Sequence, residues 1–151
     1  MTIDRPWPIA PKTIAHRPAR HGDYNPRRMS RILVVDDSET ILHFLRAVLE
    51  NEQYEVDIAT DGNDALAKAC RSLPDLIVTD SIMPNMDGFG LLRALRSDPA
   101  TEAVPVIMLT SGSPDDPDHI AREPRPDAFV KKTADFGPLL AEIRAALQRD
   151  R

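Results

Sequence analysis

The chain has 151 residues, 28% charged and 42% hydrophobic, enough for a single domain with a sizeable buried core. It contains no apolar run near the roughly 20 residues of a membrane helix and no apolar leader core at its amino end, so a cytoplasmic protein with no membrane partner is expected. A single cysteine, Cys70, excludes an intramolecular disulfide and any cysteine-based zinc cluster, and its place on a helix reads as packing.

The net charge of −5 is unevenly spread. Residues 1–31 carry seven basic against two acidic side chains, and the remainder carries twelve basic against twenty-two acidic. An acidic body argues against nonspecific nucleic-acid binding by the domain itself. Residues 1–28 hold Pro6, Pro8, Pro11, Pro18 and Pro26 with no periodicity, and are expected to form a disordered basic extension. Met29 would make a natural start, and the domain proper is placed at 30–150.

Arg31 to Asp37 reads as a first strand that ends in the carboxylates Asp36 and Asp37. Ser38 or Asp37 can cap the helix that follows, whose apolar positions are Ile41, Leu45, Val48 and Leu49 and whose end lies near Asn51. Tyr54–Ala59 alternates as a half-covered strand. Asp61-Gly62 then turns into a helix over 63–72, with Ala65, Leu66, Ala69 and Leu73 apolar. Leu76, Ile77 and Val78, opened by Pro74 and closed by Asp80, form a strand buried on both faces. After a turn over 84–88, Phe89, Leu91, Leu92 and Leu95 mark a helix stopped at Asp98-Pro99. Val104–Thr110 is a fourth strand. Prolines 114, 117, 124 and 126 leave room for a short helix near Asp118–Glu123. Ala128–Lys131 is the last strand, and a helix over 136–149 closes the chain, with Pro138 in its first turn and Leu139, Leu140, Ile143 and Leu147 inward. The sum is an α/β fold, a doubly wound five-stranded parallel sheet with helices on both faces.

Ligands of open parallel sheets bind at the carboxyl ends of the strands. There this chain gathers Asp36 and Asp37, Asp80, Thr110, and Lys131 or Lys132. Carboxylates sharing a pocket repel, and a hard divalent cation such as Mg²⁺ relieves the repulsion. With a hydroxyl and an ammonium nearby, the chemistry that fits is phosphoryl transfer to an aspartate. His43 reads as a surface or packing residue, and His119, among Asp115, Asp116 and Asp118, as part of a solvated charge run. Gly88 and Gly90 form no dinucleotide-binding loop.

The segments Val34-Val35-Asp36-Asp37-Ser38, Ile77-Val78-Thr79-Asp80-Ser81-Ile82-Met83-Pro84, Val106-Ile107-Met108-Leu109-Thr110-Ser111 and Ala128-Phe129-Val130-Lys131-Lys132 resemble the receiver domain of two-component response regulators. The likeness covers 30–150, with 43 residues from Asp37 to Asp80, 30 on to Thr110 and 22 on to Lys132. It implies a flavodoxin-like receiver fold and a signalling protein rather than an enzyme. Asp80 matches the phosphoacceptor, supplied by a sensor histidine kinase or phosphotransfer protein. Asp36, Asp37, Asp80 and the carbonyl of Ile82 match the Mg²⁺ ligands. Thr110 and Phe129 match the switch positions, and Lys132, three residues beyond the aromatic, matches the lysine better than Lys131.

The chain departs from the family pattern at Thr133, where a proline is usual after the lysine. Without that proline a trans bond and a different loop are expected. Phe129 lacks the phenolic hydroxyl of many relatives. The fourth helix is short and rich in proline, which weakens inference about pairing or docking through it. The reading is a stand-alone receiver with an unknown downstream protein target and no DNA-binding domain, monomeric or weakly dimeric when phosphorylated. The alternative is a phosphorylation-independent scaffold. A metal-dependent phosphatase would want a second general acid, which Ser81 and Ile82 do not supply.

Overall fold

The computed structural model describes residues 28–113 and 116–149. The expected disorder of residues 1–28 therefore falls, save for Arg28, outside the described residues. Ten elements alternate: β1 (Arg31–Val35), α1 (Glu39–Asn51), β2 (Glu55–Ala59), α2 (Gly62–Arg71), β3 (Leu76–Asp80), α3 (Gly88–Arg96), β4 (Val106–Thr110), α4 (Pro117–Ala121), β5 (Ala128–Lys131) and α5 (Gly137–Arg149). All pairings are parallel, and the strand order is β2-β1-β3-β4-β5. The doubly wound sheet is as expected.

The order has a direct consequence. The chain leaves β1 toward one edge and β3 toward the other, so a crevice opens between their carboxyl ends. Asp36 follows β1 and Asp80 ends β3, one on each side of it. Of the three interior strands, β3 and β4 are buried at every position and β1 at all but Arg31. Edge strand β2 alternates, with only Val56 and Ala59 fully buried.

Two apolar layers flank the sheet. Leu42, Leu45 and Leu49 of α1 and Leu139, Ile143 and Ala146 of α5 pack on Ile32, Val34, Val78 and Ile107. Ala65 and Ala69 of α2 and Phe89, Leu91, Leu92 and Leu95 of α3 pack on Leu33, Val35, Ile77 and Met108. The alternation along each strand sends neighbouring residues to opposite layers. The inward face of α1 differs from expectation: Leu42 is fully buried, and Ile41 and Val48 are only partly covered. Cys70 also departs from the expected packing role. It is exposed, and Ala69 takes the inward position.

Aspartates pin the amino ends of the strands. Asp75 accepts the Arg31 N–H at 2.7 Å and donates its own N–H to the Arg31 carbonyl at 2.8 Å. Asp127 repeats the device on Val106, at 2.7 and 2.8 Å. Each aspartate thus sets the register of the next strand against its neighbour. The helix starts are capped in the usual way: Ser38 Oγ accepts from Ile41 N, Asp61 from Asp64 N and Asp87 from Gly90 N.

Gly88 opens α3 against the end of β3, and a Cβ there would overlap the Asp80 carbonyl oxygen. Overlap with backbone cannot be relieved by a side-chain rotation, so Gly88→Ala should destabilise the fold by about 2 kcal/mol in urea unfolding. Gly112→Ala meets only Thr110 Oγ1, at 3.7 Å, and should change stability by less than about 1 kcal/mol.

Candidate functional site

Asp36, 1% exposed, is held at the end of β1 by its N–H, which donates to the Ala59 carbonyl at 3.2 Å. Its Oδ1 accepts the Ser38 N–H at 2.9 Å, which fixes the carboxylate plane and turns Oδ2 into the crevice. Asp37 beside it is exposed. Asp80 is 8% exposed, and the next residue, Ser81, donates its N–H to Leu109 at 2.9 Å, locking the end of β3 onto β4. One carboxylate oxygen from each of Asp36, Asp37 and Asp80 lies within 4.8 Å of the others. The chain thus brings together the three acids that the spacing singled out.

Lys132 supplies the opposing charge. Its N–H donates to the Thr110 carbonyl at 2.7 Å, carrying the chain just beyond β5 toward the crevice. Its Nζ lies 2.8 Å from Asp36 Oδ2 and 3.1 Å from Asp80 Oδ2. Lys131, paired with Thr110 in the sheet, is exposed. Lys132, the better family match of the two lysines, is the one that reaches the carboxylates.

Burial is the main influence on Asp80 and raises its pKa above the ordinary carboxylate value. The hydrogen bond and charge of Lys132 oppose that rise without cancelling it, while Asp36 adds to it. For Lys132 the balance runs the other way. Burial disfavours its charge, yet Asp36 and Asp80 together outweigh burial and lift its pKa. The ammonium is therefore the firm charge of the site, and Asp80 is a carboxylate of raised basicity.

The donor set suits a hard cation. All three acids offer oxygen, and the Lys132 contact to Asp36 Oδ2 is an ion pair without hydrogen-bond alignment, so this buried oxygen keeps a lone pair free toward the crevice. Mg²⁺ fits one or two such carboxylates plus further oxygens. Ile82 places its side chain at the rim, 75% exposed. Thr110 is buried on β4, and its Oγ1 accepts the Gly112 N–H at 3.1 Å.

Phe129 faces the layer that contains α3, alongside Met108 in register. His119 of α4 lies flat on it, with ring centroids 5.4 Å apart and planes at 13°. The expectation that His119 belongs to a solvated charge run is thus corrected: the imidazole is half-buried in an aromatic stack. A polar neighbourhood in sequence hid that contact: Asp116 caps the helix and Asp118 lies in its first turn, while His119 turns to the rings. The loop after Lys132 is shaped by Thr133, whose Oγ1 accepts the Asp135 N–H at 3.2 Å, and the Lys132–Thr133 bond is trans.

Residues 32–144 match the family model described as the response regulator receiver domain. Among curated proteins, the chain is 51% identical over 82 residues to the response regulator PleD of Caulobacter vibrioides, covering 54% of this chain and 18% of PleD. It is 35% identical over 119 residues to Protein PilH of Pseudomonas aeruginosa, covering 79% of this chain and 98% of PilH. Against PleD, the chain thus spans less than a fifth of its relative's length. A solved signal receiver domain of a histidine kinase from Syntrophus aciditrophicus superposes with a TM-score of 0.73 at 34% identity, over 80% of this chain and 91% of that one. The rim of acids at the β1–β3 crevice, with its lysine delivered from β5, sits within the matched stretch, and the chain belongs to the response regulator receiver domains of two-component signalling.

Proposed function

We propose that this protein is a phosphorylation-dependent switch in which Asp80 accepts a phosphoryl group from the phosphohistidine of a sensor histidine kinase or phosphotransfer protein. The observation that carries the reading is Lys132 Nζ lying between Asp36 and Asp80 at the mouth of the crevice. An Asp80 oxygen attacks phosphorus, the P–N bond to the donor imidazole breaks, and the imidazole leaves with the bonding pair. The product is an acyl phosphate on Asp80. Mg²⁺ held by Asp36, Asp37, Asp80 and the Ile82 carbonyl would neutralise charge on the transferring group.

The chain's own residues do the remaining work. Asp80 supplies the nucleophilic carboxylate, with its Oδ2 held 3.1 Å from the Lys132 ammonium. Lys132 stands within an ion-pair distance of the acceptor, where it can hold a phosphoryl oxygen. Thr110 exchanges its Gly112 partner for a phosphoryl oxygen, and Phe129, on the same face two strand positions earlier in register, repacks in response. Phosphorylation thereby biases two arrangements of one fold.

The donor docks beside the crevice. Phe44 is 58% exposed on α1 and stands 5.9 Å from Phe136. With Ile41, Lys132, Thr133 and Ala134 these rings line an open groove of about 500 Å³. Its apolar floor and adjacent ammonium suit a partner helix that carries a phosphohistidine.

Incubation with Mg²⁺ and acetyl phosphate should give a slower band on a phosphate-affinity gel, and Asp80→Asn should abolish it. No band with any donor would favour a phosphorylation-independent scaffold instead. Phe44→Asp should slow transfer from a phosphorylated histidine kinase that labels the wild type by about tenfold, equivalent to ~1.4 kcal/mol. Labelling by acetyl phosphate should stay within about twofold, since that donor needs no docking surface. Ile82 presents only carbon at the rim where water must approach, whereas an amide there can orient the water. Ile82→Asn should therefore shorten the phosphoryl lifetime by about tenfold, and an unchanged decay rate would remove that role for Ile82.

A further inference from the structure

Helix α4 has five residues, too short to be stable by itself. Residues three apart share a helix face, and His119 and Arg122, in and just after α4, both turn to the aromatic pair beneath. His119 stacks on Phe129 and stands 5.7 Å from the Phe89 ring. The Arg122 guanidinium lies 3.8 Å over Phe89, and Phe89 and Phe129 are themselves 6.2 Å apart. The position of α4 and that of the Phe129 ring are thus set by the same stack.

The stack carries one flaw. Among the described residues His119 Nδ1, which is buried, has no hydrogen-bond partner. A buried polar atom left unpaired opposes the arrangement that buries it, whereas a phenyl ring of similar outline would carry no such penalty. When α4 lifts from Phe129, Nδ1 meets water and the penalty disappears.

The geometry points to His119 as the positioning residue that sets how readily α4 releases Phe129: its flat ring holds the docked arrangement, and its unpaired nitrogen keeps that arrangement only marginally favoured. This inference rests on the switch reading for the regulation it describes, but the docking itself is independent of phosphorylation. A polar ring is useful at this place because a switch needs two arrangements close in free energy. An all-carbon stack would keep α4 docked too firmly to respond.

Hydrogen exchange of the full chain at α4 amides 118–121, with α1 amides as the internal reference, tests it. Without any donor, His119→Phe should slow exchange at α4 severalfold and His119→Ala should speed it severalfold, with α1 unchanged. Equal α4 exchange in the three proteins, or faster exchange in His119→Phe, would overturn the inference. A second arm adds Mg²⁺ and acetyl phosphate and scores labelling by gel. Labelled wild type should gain α4 exchange, labelled His119→Phe should gain less, and labelled His119→Ala should gain almost none because its α4 is already released. Equal gains in all three labelled proteins would also overturn it. If none of the three labels while the donor-free order holds, the docking role stands and the phosphorylation reading fails.

Discussion

A half-buried ammonium between two buried carboxylates is the interaction on which this molecule is organised. Asp36 and Asp80 are 1% and 8% exposed at the ends of adjacent strands, where their negative charges would repel at close range. Lys132, reaching both from beyond β5, offsets that repulsion. The two acids and the lysine come from strands that are not neighbours in sequence; the parallel direction puts their ends on one rim, and the order sets β1 beside β3 there. The backbone bonds around the site serve the same end. Ser81 to Leu109 and Lys132 to Thr110 lock the strand ends so that the three side chains converge.

Much of this was legible in the sequence because it rests on short-range rules. The apolar runs of β1, β3 and β4 announce strands buried on both faces, and each ends in a polar group at the same rim. The strands start and stop within two residues of expectation, since Pro74, Asp98-Pro99 and the Asp61-Gly62 turn punctuate the chain. The acids at positions 36, 37 and 80 and the Thr110 hydroxyl follow from the same strand-end logic.

Where the reading failed, a tertiary contact decided the matter. On α1, Leu42 and Ile41 are adjacent and equally apolar, and only the angle at which the helix meets the sheet makes Leu42 the buried one. Phe44, exposed on that helix, gave no sign in the sequence of its contact with Phe136 across the chain. Cys70 follows Ala69 by one position, and a rotation of 100° per residue separates core from solvent. His119 sits among aspartates in the sequence, yet its ring is claimed by Phe129, ten residues further on. The preference for Lys132 over Lys131, by contrast, already followed from its place three residues after Phe129, and its Nζ lies against both carboxylates.

Asp75 and Asp127 give the sheet a polarity beyond its strand direction. Each ties a strand entry to its neighbour through a reciprocal pair of bonds, Asp75 with Arg31 and Asp127 with Val106. Four of the five strand starts, those of β1, β3, β4 and β5, are thereby fastened at the floor of the molecule, as a book is bound along its spine. In the proposed switch, a rearrangement at the acidic rim would therefore leave this bound margin in register and be confined to the opposite margin, beside the surface that α4 covers.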